Sequence, residues 1–97
     1  MKKVFCVYIL ASKKNGTLYV GVTSDLPKRI WEHKEGVVEG FTKKYGIKTL
    51  VYFERFDDAD NAIHREKRLK KYKRKAKIRL IEKENSDWDD LYEQICK

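Results

Sequence analysis

Asn15-Gly16 stands between two strand-length runs, VFCVYIL from Val4 to Leu10 and TLYVGVT from Thr17 to Thr23. Asn-Gly between such runs is the strongest short-range hairpin signal, because both residues tolerate positive φ. The chain is therefore committed to an antiparallel strand pair near its N-terminus. With 97 residues in all there is room for one core, so the rest of the chain must cover that pair. Ser24-Asp25 offers a helix N-cap with Pro27 in the first turn, and the helix runs to about Lys34, short of Gly36. Gly36 to Lys48 has no clear period, and so long a loop in so small a domain is usually functional. Thr49 to Phe56 reads as a third strand. Asp57 or Asp58 caps a second helix over about Ala59 to Lys73, and a third covers roughly Ala76 to Lys83. Asp87 caps a short last helix with Trp88, Leu91, Tyr92 and Ile95 at i, i+3, i+4 and i+7. The order is ββα-β-ααα. Residues 1–97 form one domain, with its core over about 4–91. The class is α/β (α+β), with a three-stranded, mainly antiparallel sheet flanked by helices.

Charge narrows the partner. Charged residues make up 39% of the chain and the formal net charge is +8, which points to a polyanion. From Arg65 to Arg79 there are ten basic residues against the single acid Glu66. That stretch is punctuated by Leu69, Ala76, Ile78, Leu80 and Ile81, so it reads as helix and not as a tail. Cys6 and Cys96 form neither a disulfide framework nor a metal-ligand spacing. No stretch approaches the roughly 20 apolar residues of a membrane span, and the first apolar run lacks a signal-peptide cleavage site. A cytoplasmic protein without a membrane role is expected.

Three places could carry chemistry. On the second helix Ala59, Ala62, Ile63 and Leu69 define one stripe, and Glu66 falls in its middle. A carboxylate there is costly unless it is paired or bound to a metal. Lys70 and Lys73 continue the stripe, so the face turns basic just beyond Glu66. On the first helix Arg29 and His33 are i and i+4 neighbours flanking the buried stripe of Leu26 and Ile30. On the second strand Tyr19 shares its face with Thr17, Gly21 and Thr23, which is not an ordinary core face. Gly21 would let a ligand or another backbone approach closely.

Together these residues resemble the GIY-YIG nuclease superfamily. Tyr8 in Cys6-Val7-Tyr8 stands where GIY would be, and Tyr19-Val20-Gly21 stands for YIG. YVGVTSDLPKRIWEH looks like YIG-x-T-x-x-L-x-x-R-x-x-x-H, and AIHREKRLKKYKR looks like the family's metal-binding helix. The likeness runs from Val4 to about Leu91. It is to small stand-alone members and, more distantly, to the N-terminal nuclease domain of the excinuclease and to GIY-YIG homing endonucleases. It implies the GIY-YIG fold and a DNA-related endonuclease, directed by structure or strandedness, with one Mg2+ or Mn2+ ion. Glu66 would hold the ion and Arg29 would neutralise charge at phosphorus. Tyr8, Tyr19 and His33 would surround the attacking water, and any of the three could be the general base. Asn85 is the only match to an asparagine that relatives use after the metal helix.

Lys43, Lys44, Lys70, Lys73 and Arg74 are the expected phosphate contacts, which position a nucleic acid without reading its sequence. DNA is favoured over RNA, and a partner protein could supply targeting. The alternative is a non-catalytic nucleic-acid-binding module on the same fold. It accounts for the basic helix but not for Glu66 on a core-facing stripe or Arg29 beside it.

Overall fold

A computed structural model of the protein describes residues 3–38 and 40–96. The sheet has β1 (Phe5–Ala11) at its centre, with β2 (Leu18–Thr23) and β3 (Thr49–Phe56) antiparallel on either side. The turn between β1 and β2 is wider than a two-residue loop. Gly16 N donates to Lys13 O at 2.9 Å, and Asn15 holds the left-handed conformation at φ 60°. Gly16 matters for space, since a Cβ there would lie 2.3 Å from Ser12 Oγ.

The helices are α1 (Leu26–Lys34), α2 (Phe41–Lys44), α3 (Ala59–Lys71), α4 (Arg74–Glu84) and α5 (Tyr92–Ile95). Asp25 caps α1 by accepting from Lys28 N at 3.2 Å, and Asp58 caps α3 by accepting from Asn61 N at 3.0 Å. The order is therefore ββα-α-β-ααα. The unpatterned segment from Gly36 to Lys48 contains α2, a helix too short to display a period. The boundary between α3 and α4 falls at Tyr72-Lys73, where the backbone turns extended.

Alternation along β1 divides the interior in two. Val7, Ile9 and Ala11 join Val20, Val51, Ala62, Leu69, Ile81 and Trp88 on one face. Cys6, Tyr8 and Leu10 join Leu26, Ile30, Ile47 and Leu50 on the other. A sheet covered on both faces needs apolar residues at every position of its central strand, which is why VFCVYIL is continuous and not alternating.

The last segment differs from the helix expected from Asp87. Trp88 sits at φ 59°, which ends any helix there, and only Tyr92–Ile95 is helical. Trp88 packs in the first core, while Leu91, Tyr92 and Ile95 pack against the second. The four residues thus mimic a helical stripe although the chain crosses from one face of the sheet to the other between them. Asp90, not Asp87, organises this crossing: its Oδ1 accepts from Leu50 N at 3.2 Å and from Tyr92 N at 3.1 Å.

Arg65, one of the ten basic residues, is taken up by the fold. Its Nε and Nη2 donate to the two oxygens of Glu54 at 2.9 and 3.0 Å, and Nη1 donates to Tyr72 Oη at 3.3 Å. Burial pushes the Glu54 carboxyl up, but hydrogen bonds from Arg65 and Tyr52 together outweigh it and hold the group below its ordinary value of 4.5. Stability from this cluster is therefore present above the unfolded-state value and is lost as pH falls through the folded one. Glu54→Gln is expected to flatten the fall of Tm with acidification below about pH 4.5. An acid limb as steep as that of the parent protein would show that the cluster does not contribute.

Candidate active site

The β1–β2 register places Tyr8 directly opposite Gly21. The phenol lies across the glycine, so that a Cβ at position 21 would be 2.4 Å from Tyr8 Oη and 2.5 Å from Cζ. The close approach expected at Gly21 is thus made by the Tyr8 side chain. Tyr19, next but one on β2, stands beside it with ring centroids 6.5 Å apart.

Helix α1 closes over this strand pair. Leu26 and Ile30 anchor it in the second core. His33 lies on the same side and is buried, with its ring 5.9 Å from Tyr8 and 5.8 Å from Tyr19 by centroids. His33 Nε2 and Tyr8 Oη are hydrogen-bonded at 3.1 Å. On its other side His33 Nδ1 is bonded to Thr42 Oγ1, also at 3.1 Å. Arg29, one turn earlier, keeps its side chain 39% exposed and pairs loosely with Glu32 at 3.5 Å. Its charge also acts on the Tyr8 hydroxyl, opposing the rise that burial imposes on the phenol. Tyr8, His33 and Thr42 thus form a hydrogen-bonded chain, and the Arg29 charge acts on its Tyr8 end.

Burial sets the protonation of this chain. It pushes the Tyr8 phenol up to about 12, against the opposing pull of Arg29, with the charges of Tyr19 and Glu66 adding to the rise. Burial also lowers His33 from its ordinary value of 6.5, and the Arg29 charge lowers it further. At neutral pH the phenol is protonated and the imidazole is neutral.

Glu66, on α3, lies near enough for its charge to act on the same phenol. Ala62 and Leu69 are buried around it, whereas Ile63 is 41% exposed and drops out of the expected stripe. The Glu66 side chain is 13% exposed and faces the Lys70 ammonium, Oε2 to Nζ 2.9 Å. Lys70 therefore answers the carboxylate at the point where the sequence pattern turns basic. Among the described residues no three His, Cys, Asp or Glu side chains converge. Glu66 would offer a single carboxylate to a metal, and it already attracts the Lys70 ammonium. That donor set fits a hard ion that keeps most of its waters, as Mg2+ does.

Of the remaining expected residues, Arg74 and Asn85 make bonds elsewhere in the fold. Arg74 Nη2 donates to the carbonyls of Asn15 and Gly16 at 2.6 and 2.7 Å, clamping the hairpin tip to α4. Asn85 is buried and sits at the end of α4. Its Nδ2 donates to Val51 O at 3.1 Å and Asp89 O at 2.8 Å, and its Oδ1 accepts from Asp89 N at 2.9 Å. All of these bonds hold the chain crossing at the sheet edge, so no part of Asn85 serves the tyrosine–histidine cluster. Lys73 is exposed at the α4 N-cap. Lys43 and Lys44 are exposed on α2, where the Lys44 ammonium lies 5.4 Å from the Tyr45 ring centroid. Thr42, which fixes His33, carries no motif of its own. Its one sequence signal is the long unpatterned segment around it.

The GIY-YIG catalytic domain matches residues 4–79, so the chain belongs to the GIY-YIG family. Within that class its relatives include UPF0213 proteins. One from Staphylococcus saprophyticus is 39% identical over 75 residues, covering 77% of this chain and 90% of that one. One from Clostridium perfringens is 37% identical over 89 residues, covering 92% and 95%. The solution NMR structure of a UPF0213 protein from Bacillus halodurans superposes with a TM-score of 0.55 at 29% identity, covering 90% of this chain and 92% of that one. Among the described residues no helix is long and apolar enough to cross a membrane.

Proposed function

We propose that this protein is a metal-dependent endonuclease that hydrolyses nucleic-acid phosphodiesters, with DNA favoured over RNA. The observation that carries the reading is the buried hydrogen-bonded chain Tyr8–His33–Thr42, whose phenol feels the charges of both Arg29 and Glu66. A neutral imidazole behind a protonated phenol is a proton acceptor waiting for a donor. Tyr8 takes a proton from the attacking water as it gives its own to His33 Nε2, while Nδ1–H is donated to Thr42. Arg29 directs its fork of donors at the phosphate, whose charge grows as attack proceeds. Tyr19 lines the water's side of the cluster. Glu66 would hold one Mg2+ or Mn2+, which when bound supplies Lewis-acid stabilisation of the leaving oxygen. Lys43, Lys44 and Lys73 grip the flanking backbone.

The Lys70–Glu66 ion pair favours a second reading, a binding module whose carboxylate has been neutralised internally. Incubating a labelled oligonucleotide with and without Mg2+ or Mn2+ separates the two. Cleavage is expected only with metal. Its rate should fall as pH drops through the value of buried His33, which lies below the ordinary 6.5. Binding without cleavage under every metal tried would leave the binding module. A flat acid limb would remove His33 as the proton acceptor.

A further inference from the structure

Phe41 opens α2 and Tyr45 caps its C-terminal end, with ring centroids 4.9 Å apart and planes at 53°. They are 50% and 51% exposed, and neither belongs to either hydrophobic core. Two rings left in water side by side are not explained by packing. The Lys44 ammonium stands over Tyr45. Thr42, on the inner side of the same helix, is bonded to His33. The short helix therefore holds the histidine on one side and displays two rings and an ammonium on the other.

An unpaired base offers a π-face to an aromatic ring while its phosphate meets a cation. A base inside an intact duplex has both faces already stacked. We infer that Phe41 and Tyr45 form a stacking platform for unpaired nucleotides beside the scissile phosphate. Single-stranded or splayed nucleic acid is then the substrate class, and intact duplex is not. The inference rests on the nucleic-acid reading above and adds strandedness to it. Exposed rings could also meet a protein. The adjoining lysines and the net charge of +8 match a polyanion better.

The test measures binding without cleavage, by fluorescence anisotropy in EDTA. The probes are a labelled oligothymidylate of about 12 nucleotides, within the usual footprint of a stacking groove, and a duplex of equal length. The double variant Phe41→Leu/Tyr45→Leu stays apolar but cannot stack. It is expected to bind the single strand about 5- to 100-fold more weakly, the range for losing one stacked base. Duplex affinity should stay within about twofold, and the salt slope should not change, because stacking releases no counterions. Phe41→Trp/Tyr45→Trp should bind the single strand at least as tightly as the parent protein. An oligomer of abasic sites reports on the unmutated protein and should show a comparable loss. Equal losses on both probes, no loss in the leucine variant, or full affinity for the abasic strand would each overturn the platform. The last two are also the outcome if the rings serve a protein partner. Failure of the platform would leave metal-dependent cleavage intact. Failure of the nuclease reading would leave strand-selective binding without cleavage.

Discussion

Glu66→Gln should lower the cleavage rate at least about a hundredfold, the scale of losing one preorganised electrostatic contact. The change keeps the side chain's shape and removes only its charge. Arg29→Ala should cost as much by removing the donors aimed at phosphate. Neither change should weaken nucleic-acid binding by more than a few-fold, since most of the basic residues lie elsewhere. Stability separates the two sites. Sequence alone places Glu66 as an uncompensated carboxylate, so that glutamine would relieve it. The Lys70 ammonium at 2.9 Å alters that expectation. Lys70 is itself 52% exposed, and an exposed partner contributes at most about 1 kcal/mol. Glu66→Gln is therefore expected to leave Tm close to that of the parent protein. A fall of several degrees with undiminished cleavage would identify Glu66 as a structural ion-pair partner and end its assignment to metal.

Gly21→Ala should damage both fold and chemistry by adding a single methyl. The new Cβ would fall 2.4 Å from Tyr8 Oη and within 3 Å of two ring carbons, a clash that only movement of the ring can relieve. Overpacking of this kind costs roughly 1–3 kcal/mol. Moving the ring also breaks the 3.1 Å bond to His33, so the cleavage rate should fall about a hundredfold or more. Combining Gly21→Ala with Tyr8→Leu vacates the space and should recover part of the lost stability without recovering activity. If the double variant is no more stable than Gly21→Ala alone, the clash is not the cause. If Gly21→Ala cleaves normally, the phenol's position is not what the reaction needs.

Much of this site is legible in the chain because each part rests on a local rule. Asn15-Gly16 marks the hairpin, although the register that sets Tyr8 opposite Gly21 comes from a turn wider than two residues, and helical spacing puts Arg29 beside His33. An acid on an apolar stripe marks Glu66. The parts that escape are those fixed by contacts distant in sequence. Arg74 looks like a phosphate ligand in a row of lysines, yet it is committed to carbonyls 58 and 59 residues away. Asn85 looks like a family asparagine, yet its side-chain bonds hold the chain crossing. Thr42 is invisible because one turn of helix leaves no period. Trp88, Leu91, Tyr92 and Ile95 deceive for a different reason, since two separate cores can each claim part of one helical-looking pattern.

That last segment bears on how the protein is made. Trp88 completes one core, Leu91 and Tyr92 complete the other, and Asp90 ties both to Leu50 across 40 residues. The loop these contacts close is long, so its entropy is met late, after the hairpin and the helices have formed from nearby residues. Neither face of the sheet is sealed until that stretch has left the ribosome. A nascent chain that has already assembled Tyr8, Arg29 and His33 still exposes apolar surface on both sides, and it becomes a sealed GIY-YIG fold only with its final turns.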